Sequence, residues 1–340
     1  MTPSYCCPRC KGPLVSRIEE YRCPVCAQSY PVLCGIPDFR VYPDPYIDLE
    51  ADRAKGQRLA EAAQHLDFPA LVAHYYAITP EVPPDLAARY LAHHRAGLSR
   101  AQGVLARLKA YGLPPPSGRR VLDLGCGTGA FVASTAGLGA HVIGVDIAFR
   151  WLVVARRQLH DLGLEDVPLV CACADYLPFA DQHFELMVAE NLLEHTRDPA
   201  LVLMEAGRVR TQGGAFLART VNRFALAPEP HVGVWGVGFL PRPWMDPYVR
   251  LFKGIPYEHI HLQSYGSLRR MVRVSGVHDL RVSPARLVLE DYQYQPPLRR
   301  QLLGWYDRLG RLVPALRPLL TRLGPYLDLV SQRTAPAPLL

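Results

Sequence analysis

The chain has 340 residues, 49% of them hydrophobic and 20% charged, a composition that allows one large globular domain with a smaller one beside it. No apolar run is long enough to span a bilayer and the amino terminus lacks a basic-then-apolar signal pattern, so the expected compartment is cytoplasmic. The net charge of +7 admits an anionic partner such as nucleic acid, phospholipid or a charged sugar, and no run of like charges forms a basic tail.

Six of the nine cysteines fall before residue 35. Cys7-Pro-Arg-Cys10 and Cys23-Pro-Val-Cys26 are two C-x-x-C pairs with 12 residues between them, each able to present two thiolates on a tight turn to one tetrahedral ion. The spacing predicts a structural zinc ribbon, with Lys11 to Arg22 as a short hairpin, Tyr21 and Tyr30 as strand-like aromatics, and Cys6 and Cys34 as free thiols. Four thiolates leave no open position, so zinc there would fold a small segment or contact substrate rather than catalyse. The run Tyr30-Pro-Val-Leu-Cys-Gly-Ile-Pro-Asp-Phe39 resembles the end of the ribbon in small activator proteins that bind and stabilise tRNA, rRNA and release-factor methyltransferases, over about residues 4 to 40. That resemblance implies a ribbon fused in cis to a catalytic domain. A ribbon also precedes some rRNA guanine methyltransferases, but their second knuckle ends in histidine where this chain has Cys26.

Residues 48 to 111 are rich in Ala and Leu and are interrupted at Pro69, Pro80, Pro83 and Pro84, which predicts two or three helices with Leu91, Leu98, Leu105 and Leu108 facing the core. Pro114 to Gly118 reads as a linker. Next comes Arg119-Arg-Val-Leu-Asp-Leu-Gly-Cys-Gly-Thr-Gly-Ala-Phe131, an apolar strand from Val121 to Leu124 that breaks into three alternating glycines and starts a helix. Glycine admits positive φ and close approach of a ligand to bare main chain, and the helix start points N–H groups at it. Gly125, Gly127 and Ala130 also satisfy the looser dinucleotide pattern of nicotinamide and flavin enzymes. Asp123 before the loop and a third glycine, Gly129, favour a ligand with an ammonium group, as S-adenosylmethionine has. His141 to Asp146 reads as a second strand ending in an acid placed to accept both ribose hydroxyls. A third strand, Leu169 to Ala174, ends at Asp175-Tyr-Leu-Pro-Phe179, an acid and apolar groups suited to adenine. A fourth, Phe184 to Ala189, delivers Glu190-Asn-Leu-Leu-Glu-His195 to the same edge.

From residue 119 to 221 the chain resembles the class I S-adenosylmethionine-dependent methyltransferases whose first-strand motif reads V-L-D-L-G-C-G-T-G. The resemblance implies that Gly125, Gly127 and Gly129 hold the methionine part of the cofactor with Asp123 near its amino group, that Asp146 binds the ribose, and that Asp175 binds the adenine amino group. Cys126, Ile147, Tyr176 and Glu190 complete the expected cofactor-binding set. Methyl transfer to an alcohol needs alignment and a base; His195 is the first candidate because imidazole titrates near neutral pH, with Glu190 and Glu194 next and His259 and His261 as alternatives. Asn191 stands where a metal-holding subset of the family has a glutamate, so no magnesium site is expected.

Asp198-Pro199 starts a helix to about Arg210 that Gln212 to Gly214 ends, and Ala215 to Thr220 is a fifth strand. Residues 222–261, dense in Gly, Pro and aromatics, read as a loop-like lid for substrate with Trp235, Phe239, Trp244, Tyr248 and Tyr257 as flat apolar surface and Arg223, His231, Arg242 and His259 as polar contacts. A helix to about Ser275 and a sixth strand near Leu280 to Leu289 follow. Between 298 and 323 apolar residues recur at helical spacing, broken at Pro314 and Pro318, and six arginines face the single acid Asp307. Such a basic amphipathic stretch packs on the body or lies on an anionic membrane. Tyr326 to Arg333 reads as an antiparallel last strand. The expected architecture is therefore α/β: a Rossmann-like seven-stranded sheet with an N-terminal zinc ribbon and helical insertions. Its parts are a ribbon (1–40), a helical linker or cap (41–118), a methyltransferase domain (119–334) with insertions at 222–261 and 296–325, and a tail (335–340). The expected activity is methylation of oxygen or carbon on a small or lipid-linked acceptor, with RNA or protein methylation and a catalytically inactive scaffold as alternatives.

Overall fold

The computed structural model describes residues 4–293 and 297–331; the expected tail and the last two residues of the final strand lie outside them. At the amino end β1 (Val15–Ser16), β2 (Glu20–Arg22), β3 (Ser29–Leu33) and β4 (Ile36–Pro37) pair in that order, each antiparallel to the next. The hairpin between the two cysteine pairs forms, and Tyr21 stands opposite Tyr30 across it. Tyr5, Tyr21 and Tyr30 gather around Phe39, with ring centres 5.0 to 5.4 Å apart, and Phe179 meets Tyr5 at 5.9 Å. That aromatic core is what so small a unit has in place of a larger apolar interior.

Four helices follow where two or three were expected: α1 (Leu49–Ala62), α2 (Phe68–Ala77), α3 (Pro84–Arg95) and α4 (Gly97–Ala110). Asp48 and Asp67 cap the first two by accepting from the N–H groups of Ala51 and Ala70, each at 2.9 Å. The extra helix arises from a break at Ala96, where Gly97 lies so near Ala130 that an added Cβ would come within 3.0 Å of it. The break also resets the helical phase. Leu108 is buried as expected and Leu105 half-buried, but Leu98 is 39% exposed and Val104 takes an inner position.

The rest of the chain is β5 (Arg120–Leu124), α5 (Ala130–Ala136), β6 (His141–Asp146), α6 (Phe149–Asp161), β7 (Leu169–Cys171), β8 (Phe184–Glu190), α7 (Pro199–Val209), β9 (Arg210–Val221), α8 (Arg242–Lys253), α9 (Tyr265–Val274), β10 (Leu280–Pro284), α10 (Leu289–Tyr292), α11 (Pro297–Leu312), α12 (Arg317–Leu323) and β11 (Tyr326–Ser331). They give a seven-stranded sheet in the order β10-β11-β9-β8-β5-β6-β7. β5, β6 and β7 are parallel, with Leu124 opposite Val145 and Asp146 opposite Cys171; β11 runs antiparallel to both β9 and β10. The apolar residues of β5 and β7 are fully buried, the burial on both faces that continuous apolar strands require.

Several expected boundaries move. β7 stops at Cys171 because the chain turns, with the Tyr176 N–H on the Cys173 carbonyl at 3.0 Å. α7 ends at Val209 and Gly213 lies inside β9 with φ 76°, so the glycines do not end the helix. The last helical carbonyls are instead taken by the N–H groups of Gln182 and His183 at 2.9 and 2.7 Å. β10 ends at Pro284, which has no N–H to extend a ladder. The 222–261 insertion holds α8, and Val232, Val234, Val237, Met245, Val249 and Tyr257 form a small core of its own. Pro243 in the first turn and Gly254 in the left-handed conformation at the end are the signals that bound α8. The basic stretch breaks at Pro314; Pro318 sits in the first turn of α12 and breaks nothing.

By packing, the chain forms two compact units. Of the described residues, one contains 4–102, 116–187 and 205–214; the other contains 103–115, 188–204, 215–293 and 297–331.

Candidate functional site

The first unit carries the glycine loop. Gly125, Gly127 and Gly129 all have positive φ, at 80°, 51° and 79°, a conformation that side chains disfavour. At Gly127 an added Cβ would meet nothing within 4 Å, so the main chain there faces open space, while at Gly129 it would press to 3.0 Å on Ala155. The N–H groups of Gly125 and Cys126 bond the Val145 carbonyl at 2.8 and 2.9 Å and hold the loop over the end of β6. Asp123 is buried at the end of β5. Asp146 accepts the Gly127 N–H at 2.8 Å through Oδ2 and the Ala148 N–H at 2.9 Å through Oδ1. Burial nevertheless pushes its carboxyl up to about 6, with Ala148 and Gly127 pulling the other way. A half-buried carboxylate with a backbone donor on each oxygen keeps further lone pairs that two ligand hydroxyls could meet.

Asp175 is buried after β7 and accepts the Tyr42 hydroxyl at 2.5 Å, and the rings of Tyr42 and Tyr176 meet edge to face at 6.3 Å. The segment behind the ribbon places Tyr42 there. Phe39 N–H bonds the Cys171 carbonyl at 2.7 Å, and Val41 N–H lies 3.4 Å from the Cys173 sulfur. The first knuckle grips the same loop from its other end, through Cys6 N–H to the Pro178 carbonyl at 3.0 Å and Lys11 Nζ to the Leu177 carbonyl at 3.2 Å. Ile147 presents its carbonyl to Arg40 at 3.2 Å. Arg40 is paired at 2.6 to 2.8 Å with Asp38 and Asp52, and Asp52 with Arg150 at 2.7 Å, a buried lattice that ties the ribbon's exit to the start of α6. On the helical side His94 lies 3.4 Å from Thr128 in the glycine loop and 3.2 Å from the Tyr76 hydroxyl, and burial pushes its imidazole down to about 4. Tyr42, Tyr76 and His94 belong to this site and were missed in the sequence, because nothing in their spacing ties them to the loop.

The sulfur atoms of Cys7, Cys10, Cys23 and Cys26 lie within 4.8 Å of one another, with Cys7 to Cys26 and Cys10 to Cys23 at 3.5 Å. Thiolates about 2.3 Å from one tetrahedral zinc stand roughly 3.8 Å apart, so these residues fit the ion. The Tyr30 hydroxyl, 3.4 Å from the Cys7 sulfur, adds a donor to that thiolate.

The second unit holds the three residues expected to catalyse. Glu190 is paired with Arg107 through Oε2, and Arg107 also meets Asp291; the other Glu190 oxygen is buried with no hydrogen-bond partner among the described residues. Glu194 is fully buried, accepts the Thr220 hydroxyl at 2.6 Å, and is pushed above its usual range by that burial. His195 closes a 3-10 turn (Leu193–His195), and its Nε2 lies 3.0 Å from Nε2 of His231. Burial, with His231 and His261 adding to it, pushes His195 down to about 3. His231 Nδ1 faces the buried carboxylate of Glu229, which also accepts the N–H groups of His231 and Val232 at 3.0 Å. Sequence reasoning placed His231 in the lid as a polar contact; its partnership with His195 over 36 residues had no signal in the sequence.

Residues 122–218 match the family described as methyltransferase domain. Among curated proteins it is similar to ubiquinone biosynthesis O-methyltransferases. It is 38% identical to that of Thiobacillus denitrificans over 112 residues, 33% of this chain and 48% of the relative. It is 38% identical to that of Paracidovorax citrulli over 148 residues, 42% of this chain and 60% of the relative. The chain thus spans about half the length of the curated relatives it matches. Among solved structures, an S-adenosylmethionine dependent methyltransferase from Mesorhizobium loti aligns with a TM-score of 0.45 and 22% identity, covering 67% of this chain and 96% of that one.

Proposed function

We propose that the protein is an S-adenosylmethionine-dependent methyltransferase that acts on a hydroxyl or carbon of a small or lipid-linked acceptor. The observation that carries this reading is Asp146, half-buried at the end of β6 and bonded to the Gly127 N–H at 2.8 Å, beside a loop of three positive-φ glycines. In this reading the glycine loop and Asp123 take the methionine end, Asp146 the ribose hydroxyls, and Asp175 with Tyr176 the adenine edge, while Cys126 and Ile147 wall the cofactor. Glu190 has one oxygen with no hydrogen-bond partner among the described residues. When bound, the cofactor supplies an electrophilic methyl carbon; the chain's task is to align the acceptor and take its proton. His195 is the base we assign, with Glu194 as a buried neighbour that fixes its turn. Zinc held by Cys7, Cys10, Cys23 and Cys26 has a structural role.

The relatives' name, O-methyltransferase, supports a hydroxyl acceptor, and the aromatic faces of Trp235, Phe239 and Trp244 in the insertion, all exposed, suit an apolar one. Among the described residues no helix is long and apolar enough to cross a membrane. A cytoplasmic protein that touches a membrane surface fits a lipid-linked acceptor. α11 exposes Leu298, Leu302, Trp305, Leu309 and Leu312 along one face, with Trp305 61% exposed, in a stretch rich in arginine.

The test is transfer from methyl-labelled S-adenosylmethionine in cell extract, fractionated into lipid, small molecules, RNA and protein. Label in lipid or small molecules that vanishes in Asp146→Ala is the expected result. Label in RNA or protein would make the ribbon a recognition module and overturn the acceptor class. No label despite cofactor binding would leave a scaffold.

A further inference from the structure

His94, near the end of α3, touches two parts of the cofactor cradle at once, all within the first unit. Its Nδ1 lies 3.4 Å from the hydroxyl of Thr128, the buried residue between Gly127 and Gly129, and its Nε2 lies 3.2 Å from the Tyr76 hydroxyl. Its ring packs on Trp151, in the first turn of α6, with centres 4.7 Å apart. Just beyond, Gly97 sits against Ala130, so the end of α3 is seated on the start of α5.

The chemistry of the three polar groups fixes their protons. Burial, with Arg100 adding to it, pushes His94 down to about 4, so at neutral pH the ring carries one N–H and one lone pair. Burial raises the Tyr76 phenol, which therefore keeps its proton. A phenol is a stronger acid than a neutral imidazole N–H, and an imidazole nitrogen is a stronger base than a phenol oxygen, so the Tyr76 O–H donates to Nε2. The His94 proton is then on Nδ1 and is donated to Thr128 Oγ1. A hydroxyl that accepts from His94 keeps its own proton, and in a buried threonine that proton calls for an acceptor.

We infer that His94 is a positioning residue that turns the Thr128 hydroxyl toward the carboxylate of the cofactor's amino-acid end, a role that rests on the methyl-transfer reading above. The main chain faces open space at Gly127, next to Thr128, so a ligand can approach the loop there. In that reading Asp123 attends the ammonium group of the cofactor. The carboxylate beside that ammonium accepts only, and it needs donors. The opposite tautomer of His94 would use the Thr128 proton on Nδ1 and turn oxygen lone pairs toward the carboxylate. Tyr76 thus acts on the amino-acid end through His94 without touching it.

The experiment is calorimetric titration of full-length, zinc-loaded protein with two probes. S-adenosylhomocysteine has the amino-acid end; 5′-methylthioadenosine has the same adenosine and sulfur without it. His94→Phe, which keeps a ring for Trp151 and removes both nitrogens, should weaken S-adenosylhomocysteine about fivefold and leave methylthioadenosine within about twofold of wild type. Thr128→Val should weaken S-adenosylhomocysteine about 10- to 100-fold, again with methylthioadenosine unmoved, and Thr128→Ser, which keeps the hydroxyl, should stay within about twofold of wild type. Because His94 acts through that hydroxyl, adding His94→Phe to Thr128→Val should bring no further loss. In protein labelled with nitrogen-15 histidine, the resonances that vanish in His94→Phe should be those of a neutral ring protonated on Nδ1. Equal weakening of both probes in His94→Phe, or additive losses in the double variant, would make His94 a packing residue and overturn the proposal. A wild-type ring protonated on Nε2 overturns it too. Where His94→Phe fails to fold by circular dichroism, Tyr76→Phe takes its place: it should weaken S-adenosylhomocysteine alone, about threefold, and equal weakening of both probes again overturns the proposal. A wild type that binds neither probe overturns the methyl-transfer reading itself.

Discussion

The glycine loop of the first unit and the histidine pair of the second are built from different materials. The loop is main chain: N–H groups, carbonyls and positive φ angles, arranged by glycines at fixed short spacings and one acid at the end of the next strand. The pair is side chain: two imidazoles and two buried carboxylates drawn from a 3-10 turn and a distant insertion. Backbone chemistry leaves its signature in consecutive residues, and side-chain constellations do not. In the proposed reading the loop holds the cofactor and His195 takes the acceptor's proton, so substitutions in the two should separate binding from turnover.

The largest effect separates them directly. Asp146→Ala should weaken binding of S-adenosylhomocysteine about 100- to 10,000-fold by titration calorimetry, the loss of two hydrogen bonds to a charged group at roughly 1.5 to 3 kcal/mol each. His231→Gln should leave that affinity nearly untouched. Equal losses in both would erase the comparison.

Next is the pH dependence of the ligand-free protein. Asp146 sits at about 6 when folded, against about 3.9 in an unfolded chain, so between those values the native state holds a proton that the unfolded state has lost. Stability contributed by that protonated group is therefore present below about pH 4 and is lost as pH rises toward 6, by up to roughly 3 kcal/mol for this group alone. Urea midpoints measured across that range should fall, and Asp146→Asn should flatten the slope. A wild-type curve already flat would contradict the burial argument. Cofactor affinity should run the other way and weaken as pH drops through about 6, since the protonated acid accepts hydroxyls less well.

A smaller effect tests the ribbon. The loop carrying Asp175 is gripped by Cys6 and Lys11 at one end and by Tyr42 at the other. Removing zinc should weaken cofactor binding about tenfold, and Tyr42→Phe a few-fold with zinc retained. Stripped protein with full affinity would make the ribbon irrelevant to the cofactor. Smallest is Trp305→Glu on α11, an exposed site where stability should change by no more than about 0.5 kcal/mol. The same change should reduce co-sedimentation with phosphatidylglycerol vesicles and leave phosphatidylcholine vesicles unaffected. No difference between the two lipids would remove the membrane-surface role.

What the sequence made legible follows the same physical line. Strand, glycine loop and acid at Val121 to Asp146 could be read because the pattern is local, and the paired C-x-x-C motifs because tetrahedral thiolate geometry needs them at short spacing. The seven strands were readable from apolar runs, although β7 and β10 ended early where a turn and Pro284 intervened. Helix α8 was hidden by a composition of Gly, Pro and aromatics that resembles a loop, and the break at Ala96 by a leucine spacing that runs through it. Tyr42, His94 and Glu229 were illegible as site residues, and His231 was legible only as a polar group of the insertion, because each meets its partner only after the chain has folded.

The central claim is most directly tested by calorimetric titration of the zinc-loaded protein with S-adenosylhomocysteine and, separately, with a nicotinamide dinucleotide. The account predicts one S-adenosylhomocysteine per chain, lost in Asp146→Ala, and no dinucleotide binding. Dinucleotide binding through the same glycine loop, or no binding of S-adenosylhomocysteine, would contradict it.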